Sequence, residues 1–533
     1  MVRQHRSGIR LLGGSLLGLV AALAAAAGAM AQVLNMGVGS PISSLDPHYH
    51  QLRSNGEIAQ SIFDTLVVTD AQARIHPGMA GSWRALGSEG WEFTLRPGIR
   101  FHDGSPFTAD DIAFTLERIP TVTGPGASYS GLIRPVSRIE VVDERTIRLH
   151  TSAPSPLLPT YLSQVVMLGR RLHAGATTAD FNSGRVAVGT GPFRLVSYSN
   201  NDRITLARND EYWGARPHWA QVNYRIITND TARTAALQAG DVDIIDQVAS
   251  ADLVRLRRDE RFRIAETTSL RTMYITLDAT RAVPVPGLLS AEGGALEQNP
   301  LADLRVRQAL SLAIDRAALV DRVMEGTALA SAQFMPPDAF SAIPNFAVPP
   351  ANQAAARRLL ADAGYPRGFQ MTLAGSSDRY MNDARIIQAV AQMWTRIGLR
   401  IAVEAQPYAV FINRASRREA PANLLSWGNS TGEVSVLLNS VLRTVDRARG
   451  HGSSNRILYS NATMDATLGQ AESELDDSRR EALLRQASRL VLDDQVLVPL
   501  YLQNAVWAMR ATLAYEARSD ERNDPAAVRP VSR

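Results

Sequence analysis

Residues 91–118 read WEFTLRPGIRFHDGSPFTADDIAFTLER, and this stretch is the most informative one for predicting the architecture of the chain. From Trp91 to Leu95, apolar and polar residues alternate, which predicts a strand. A Pro-Gly pair and an Asp-Gly pair then predict two tight turns. Thr108 predicts the start of a helix, because Asp111 stands three residues later, as in a capping box. The stretch predicts strand, turn and helix in succession, and it contains no catalytic constellation.

The N-terminal segment has the pattern of a secretory leader. Arg3, Arg6 and Arg10 form a basic start, an apolar run follows, and Ala29 begins an A-x-A cleavage motif. We expect cleavage after Ala31, which would leave 502 of the 533 residues and no membrane anchor. The alternative is an uncleaved anchor, because the apolar run is about long enough to span a bilayer.

Composition narrows the class of protein. The chain has no cysteine, which excludes thiol catalysis, cysteine-ligated metal and a lipid anchor built on cysteine, so we expect a freely diffusing protein of a Gram-negative periplasm. All 56 basic residues are arginine, which excludes lysine Schiff-base chemistry. Without the three leader arginines, 53 basic residues face 52 acidic ones, and no dense basic tract occurs. Nucleic acid is therefore not an expected partner.

Further motifs follow in a fixed order along the chain. They are residues 45–47 (LDP), 189–193 (GTGPF), 212–214 (YWG) and 304–316 (LRVRQALSLAIDR). Together with the opening stretch, they resemble the family 5 extracellular solute-binding proteins, which are the peptide- and nickel-type receptors of ATP-driven importers. The resemblance covers nearly all of the mature chain.

The resemblance implies an α/β fold, a two-lobed periplasmic-binding-protein clamshell with an extra segment in the first lobe. The first lobe would hold residues 32–275 and 500–533, and the extra segment would lie at about 70–180. The second lobe would hold residues 276–499. Apolar residues at helical spacing also predict one long helix over residues 301–324.

The resemblance further implies a function. The protein would bind a small peptide or peptide-like solute between its lobes and deliver it to an inner-membrane ABC permease. We expect a monomer, no enzyme activity and no cofactor. The nine histidines are scattered, so we expect no metal site built by the protein itself. The alternative is a receptor for an opine, an amino-acid conjugate, glutathione or a metal chelate.

One departure from the family pattern concerns the ligand. In peptide receptors of this family, a tryptophan is followed by an aspartate that pairs with the ligand's free amino end. Trp427 keeps the tryptophan, but Ser430 falls on the aspartate position, and Glu433 is the nearest acid. A serine offers a neutral and weaker contact than a carboxylate. Recognition of a free amino terminus is therefore in question.

Other candidates for ligand binding also come from the resemblance. Arg379 lies where the family can place an arginine for a ligand carboxylate, which its planar fork suits. A surface arginine is the ordinary alternative. The remaining candidates, which would equally suit ordinary loop or core positions, are Tyr49, His50, Tyr129, Asn429 and Trp507.

A hydrolase motif overlaps the same region. Residues 428–432 (GNSTG) fit the G-x-S-x-G pattern, with Ser430 as the nucleophile. Asp446 and His451 follow too soon for the usual order and spacing of a catalytic triad on this motif. A secreted serine hydrolase is therefore a remote alternative.

Overall fold

The computed structural model describes residues 32–124 and 128–531, so the predicted leader lies outside the described residues. Both helices and strands run through the whole described chain, as an α/β fold requires. In chain order the strands are β1 Val33–Val38, β2 Val67–Thr69, β3 Ile75–Pro77, β4 Ala80–Ala85, β5 Gly90–Leu95, β6 Val136–Val141, β7 Thr146–Thr151, β8 Phe193–Ser199, β9 Arg203–Arg208, β10 Gln221–Ile226, β11 Ile244–Ile245, β12 Phe262–Leu277, β13 Leu288–Ser290, β14 Ala328–Ala330, β15 Phe369–Ser376, β16 Arg400–Gln406, β17 Ala422–Gly428, β18 Leu497–Arg510, β19 Leu513–Ala514 and β20 Arg529–Pro530.

The helices are mostly short. They are α1 Arg53–Ile62, α2 Ala109–Arg118, α3 Ser130–Ile133, α4 Leu158–Leu162, α5 Arg170–His173, α6 Thr178–Asn182, α7 Asp230–Ala239, α8 Ser250–Arg258, α9 Leu304–Leu312, α10 Arg316–Ala318, α11 Gln353–Asp362, α12 Asp383–Thr395, α13 Tyr408–Ser416, α14 Ser435–Leu437, α15 Ala462–Ser473 and α16 Asp477–Asp494. No helix of the described residues is long and apolar enough to cross a membrane.

The stretch at residues 91–118 folds as its local pattern predicts. Strand β5 contains the whole alternating part, Trp91 to Leu95, and α2 begins directly after Thr108. The Asp111 carboxylate accepts a hydrogen bond from the Thr108 backbone N–H at 2.9 Å, which completes the predicted capping box. Strand β5 lies inside a four-stranded antiparallel sheet of order β4-β5-β7-β6.

The predicted long helix over residues 301–324 is wrong. The chain forms α9, breaks after Leu312, and resumes as α10 followed by a π-helical turn. Asp315 explains the break, because its carboxylate accepts a hydrogen bond from Ala318 N at 2.9 Å and caps a new helix. An aspartate that bonds the backbone in this way favours a helix start over a helix interior.

Strands β12 and β18 join two parts of one large sheet, whose order is β13-β15-β17-β12-β18-β11-β1-β10-β9-β8. The two strands are antiparallel, and their register shifts between Thr268 and Thr272 of β12. Such a shift marks a bulge, where a strand bends. The bulge at Ser269, Leu270 and Arg271 lies where the chain passes from one set of hydrophobic cores to another.

These cores define two lobes. One set is built from residues 34–264 and 505–528, with a separate core at residues 66–167, and we call it the first lobe. The other set is built almost wholly from residues 270–501, and we call it the second lobe. The chain boundaries given above for each lobe stay a prediction.

Candidate functional site

The two lobes meet directly at Gln164 and Ser430. The Ser430 hydroxyl donates a hydrogen bond to Gln164 Oε1 at 3.2 Å, across 266 residues of sequence. Gln164 follows α4 in the first lobe, and Ser430 follows β17 in the second. Gln51 of the first lobe also donates to Gln164 Oε1, at 3.4 Å. A solute held between the lobes at this place would touch both of them.

Trp427 stands near the end of β17, beside the crossing strand. It lies opposite Thr272 of β12, and its ring packs against the core of the second lobe while part of it stays accessible. Its indole Nε1 is buried and has no hydrogen-bond partner among the residues that the structure describes. A buried indole N–H normally finds an acceptor. Trp427 therefore combines an apolar wall with an unused donor.

Asn429 holds the turn that follows β17. Its side-chain oxygen accepts hydrogen bonds from the N–H and the hydroxyl of Thr431, both at 2.9 Å, and its side-chain amide donates to the Glu433 carbonyl. The residue is buried. Its side chain thus shapes the loop that carries Ser430.

The acid nearest to Ser430 along the chain is already engaged. The Glu433 carboxylate is buried and accepts hydrogen bonds from the Arg480 guanidinium and the Ser435 hydroxyl. Burial raises the pKa of Glu433, and the nearby Arg480 charge opposes that rise. Both carboxylate oxygens therefore have partners inside the second lobe.

Arg379 is exposed in the middle of the connection between β15 and α12. Its guanidinium stacks on the Tyr408 ring, 5.2 Å from the centroid, and Tyr408 in turn meets Tyr380 edge-on at 6.3 Å between centroids. Burial raises the pKa of Tyr380, and the nearby Ser426, next to Trp427, opposes that rise. These aromatic rings connect Arg379 to the end of β17. The Arg379 guanidinium forms no ion pair with any described residue.

Two further candidates lie in the loop before α1. Tyr49 and His50 are both half-buried, and they immediately precede Gln51, which contacts Gln164. Within the described part of the chain, His50 Nδ1 is buried and without a hydrogen-bond partner. Burial lowers the pKa of His50, which favours the neutral ring.

Tyr129 and Trp507 lie deep inside the first lobe. Tyr129 is 3% exposed in the core of residues 66–167, and its ring meets His48 edge-on. Trp507 is 2% exposed, and its indole donates to Asn523 Oδ1 at 2.7 Å. Both side chains pack in hydrophobic cores, and a role for either in ligand contact stays a prediction.

The bulge of β12 carries an ion pair that local patterns in the sequence do not indicate. Arg271 donates two hydrogen bonds to the Glu521 carboxylate, from Nε to Oε1 and from Nη2 to Oε2, both at 2.9 Å. Arg271 Nη1 also donates to the Ser426 hydroxyl at 3.2 Å, next to Trp427. Burial alone would raise the pKa of Glu521, but Arg271 and Arg53 lower it to about 2.

A second buried polar cluster lies behind this pair in the first lobe. Asn523 donates to Glu57 at 3.0 Å and to Asp246 at 2.9 Å, while Arg53 donates to Glu57 at 3.0 Å. Burial raises the pKa of Glu57 to about 7, and the nearby Asp246 charge adds to the rise. The cluster ties the C-terminal segment to α1 and to the end of β11.

The surroundings of Ser430 show no triad in the part of the chain described. The hydroxyl bonds Gln164, and no histidine of residues 32–124 and 128–531 forms a hydrogen bond with it. Asp446 and His451 pair with each other through their backbones. No group of three or more metal-binding side chains occurs among the described residues either.

Comparisons with known proteins agree with the architecture. The family model of bacterial extracellular solute-binding proteins, family 5 Middle, matches residues 74–448. Heme-binding protein A of Haemophilus influenzae is 26% identical over 475 residues, which cover 83% of this chain and 82% of that protein. The glutathione-binding protein GsiB of Pectobacterium atrosepticum is 26% identical over 501 residues, which cover 92% of each.

A solved structure confirms the predicted fold class. The periplasmic binding protein DppA from Helicobacter pylori, in complex with the peptide STSA, superposes with a TM-score of 0.75. It is 22% identical, and the superposition covers 93% of this chain and 98% of that chain. The likeness extends over both lobes.

Proposed function

Because this chain belongs to family 5 of the bacterial extracellular solute-binding proteins, we propose that it binds a small peptide or peptide-like solute and delivers it to an ABC importer. The direct contact between Gln164 and Ser430 carries the proposal. At this contact the two lobes meet close to Trp427, near the end of β17, which pairs with the crossing strand β12. The proposed binding site is the surface around this contact.

The mechanism is a population shift between open and closed forms. A solute that touches both lobes only in the closed form stabilises that form by the difference in affinity. Strands β12 and β18 are the crossings about which the lobes would rotate, with the bulge at residues 269–271 as the place of bending. The permease would then recognise the closed form.

We assign the contacts within this site as follows. Trp427 provides an apolar wall, Ser430 and the backbone of its loop contact the solute's polar atoms, and Arg379 faces a carboxylate. Tyr49 and His50 contribute from the first lobe. The positions of Trp427 and Ser430 next to the inter-lobe contact support this assignment.

A receptor for an opine, an amino-acid conjugate, glutathione or a metal chelate is the second candidate. The Glu433 carboxylate accepts a hydrogen bond from Arg480 and is therefore not available to a ligand's ammonium group. This favours a ligand that does not need such a contact. A relative named as a glutathione-binding protein matches over 501 residues, which cover 92% of each chain.

We also propose that residues 1–31 direct export and are removed after Ala31, which places a monomeric mature protein in the periplasm. N-terminal sequencing of the exported protein should start at Gln32. A chain that starts at Met1 would contradict cleavage.

The binding proposal is tested by calorimetry with dipeptides, glutathione, an opine and a nickel–histidine chelate. Trp427→Phe replaces the indole with a smaller phenyl ring, so it removes the N–H donor and part of the apolar wall, and it should weaken binding of the bound solute about tenfold. Trp83→Phe, in the four-stranded sheet of the first lobe, makes the same change and should leave the affinity unchanged. Binding of none of these solutes, or recovery of a sugar as the dominant ligand of the purified protein, would overturn the proposal.

A further inference from the structure

Three polar groups near the inter-lobe contact are buried and have no hydrogen-bond partner among residues 32–124 and 128–531. They are Gln164 Nε2, Trp427 Nε1 and His50 Nδ1. The amide and indole nitrogens can only donate, and the imidazole nitrogen donates in one of its two tautomers. A buried polar group without a partner has lost its hydrogen bonds to water and gained none in return. A ligand atom that satisfies such a group therefore gains more than one that meets a hydrated group.

The three groups belong to one region. Gln164 accepts from Ser430 at 3.2 Å and from Gln51 at 3.4 Å, so its amide lies between the lobes. His50 is the neighbour of Gln51 in the first lobe, and Trp427 lies three residues before Ser430 in the second. The unused donors thus come from both sides of the contact.

The carboxylates of this region, in contrast, already have partners. Glu433 is held by Arg480 and Ser435, and Glu521 by Arg271 and Ser269. Asp383 accepts hydrogen bonds from the Ser376 hydroxyl and from the backbone N–H groups of Arg379, Tyr380 and Ala384. A ligand's ammonium group would therefore have to displace a partner to reach either buried glutamate. The exposed Asp378 accepts a hydrogen bond from the Tyr408 backbone N–H at 2.8 Å, and the Arg379 cation follows it directly in the chain.

Near the crossing, some buried acceptors also lack a hydrogen-bond partner within the described residues, but none of them is charged. They are the side-chain amide oxygens of Gln503 and Asn504 and the hydroxyl oxygens of Tyr501 and Ser519. All four are neutral, and a neutral acceptor holds a cation less strongly than a carboxylate does. Arg379 is exposed and forms no ion pair within the described residues, so its guanidinium is a further hydrogen-bond donor, and a positively charged one.

We propose that the ligand is anchored through its hydrogen-bond acceptors, which are carboxylate and carbonyl oxygens, and that its amino group contributes little to affinity. The inference rests on the function proposed above and specifies the ligand class of that same site. The site accepts compounds whose amino group is acylated, alkylated or linked within the molecule. It rejects compounds whose carboxylate is masked.

The test compares matched ligands by calorimetry with the full mature protein. A dipeptide, glutathione and the tetrapeptide Ser-Thr-Ser-Ala are each measured as the parent, the N-acetyl derivative and the C-terminal amide. For each parent that binds, N-acetylation should change the dissociation constant less than threefold, and amidation should raise it at least tenfold. The reverse ranking would overturn the inference while leaving the proposed function in place.

A protein variant tests the donor itself. Gln164→Glu has the same shape and can still accept from Ser430, but it replaces the Nε2 donor with a negatively charged oxygen. It should weaken binding of the parent ligands at least tenfold. Gln392→Glu, on an exposed face of α12, is the control with the same change of charge and should bind as the unaltered protein does. Equal binding by both variants would contradict the role of the Gln164 donor.

The two failures are distinguishable. If no parent and no derivative binds, the proposed function is overturned, and the inference with it. If ligands bind but require the free amino group, only the inference is overturned. Melting curves of both variants show whether a loss of binding comes from loss of folding.

Discussion

The Glu521 carboxylate accepts two hydrogen bonds of 2.9 Å from the Arg271 guanidinium, one to each carboxylate oxygen. Arg271 lies in the bulge of β12, the strand that joins the lobes. Ser269 on the same bulge donates a third hydrogen bond to Glu521, at 3.0 Å. The backbone of Glu521 has a φ of 60°, a conformation that residues other than glycine rarely adopt. The C-terminal loop thus holds the crossing strand through one strained residue.

Removing the Glu521 charge should destabilise the protein. Glu521→Gln leaves Arg271 largely buried beside a neutral amide, and the loss of one partner of a buried ion pair costs about 3 kcal/mol. Glu516→Gln, an exposed position in the same segment, should change the free energy of unfolding by less than about 0.5 kcal/mol. Urea unfolding of both variants measures the difference. An equal effect of the two substitutions would show that the ion pair does not stabilise the crossing.

Glu57 should make the stability depend on pH. Its pKa of about 7 in the folded protein lies above its ordinary value of 4.5, so the folded state keeps a proton that the unfolded state has lost. This contribution is fully present below about pH 4.5 and is lost as the pH rises through about 7. Relative to Glu57→Gln, the unaltered protein should lose roughly 3 kcal/mol over that range.

Urea unfolding at several pH values between 4.5 and 7.5 checks this expectation. Glu144→Gln, at an exposed turn, is the control and should follow the pH dependence of the unaltered protein. Parallel curves for the unaltered protein and Glu57→Gln would argue against a raised pKa at Glu57.

Two consecutive arginines of α16 should differ sharply in their effect on stability. Arg480 pairs with the buried Glu433, and its side chain is 11% exposed, whereas the side chain of Arg479 is 72% exposed. Arg480→Met should cost about 3–5 kcal/mol, because it leaves a buried carboxylate without its cation. Arg479→Met should cost at most about 1 kcal/mol. Thermal unfolding of the pair decides the matter, and similar midpoints would mean that Glu433 is not held by Arg480.

Local features of the fold could be predicted from the sequence. The capping box at Thr108 and Asp111 involves residues three apart, and the strand before it shows its alternation directly. The prediction of one helix over residues 301–324 is wrong, because apolar spacing alone does not reveal that Asp315 bonds the backbone and starts a new helix.

The sequence predicts candidate site residues that lie together only where one segment carries them. Trp427, at the end of β17, and Ser430, in the loop that follows, are three residues apart, so the sequence itself shows that they lie close together. Gln164 and Glu521 reach the site from segments about 250 residues away from their partners, and no local pattern indicates such pairs. Tertiary structure alone shows that Glu433 is occupied by Arg480.

The central claim, that a solute binds between the lobes at the contact of Gln164 and Ser430, has a direct test because the chain has no cysteine of its own. The double variant Gln164→Cys, Ser430→Cys is joined by a short, reducible, thiol-reactive cross-linker before calorimetric titration with the best solute of the panel. We predict that the cross-linked protein fails to bind and that reduction restores the affinity that the double variant has before cross-linking. Equal affinity before and after reduction would contradict binding between the lobes.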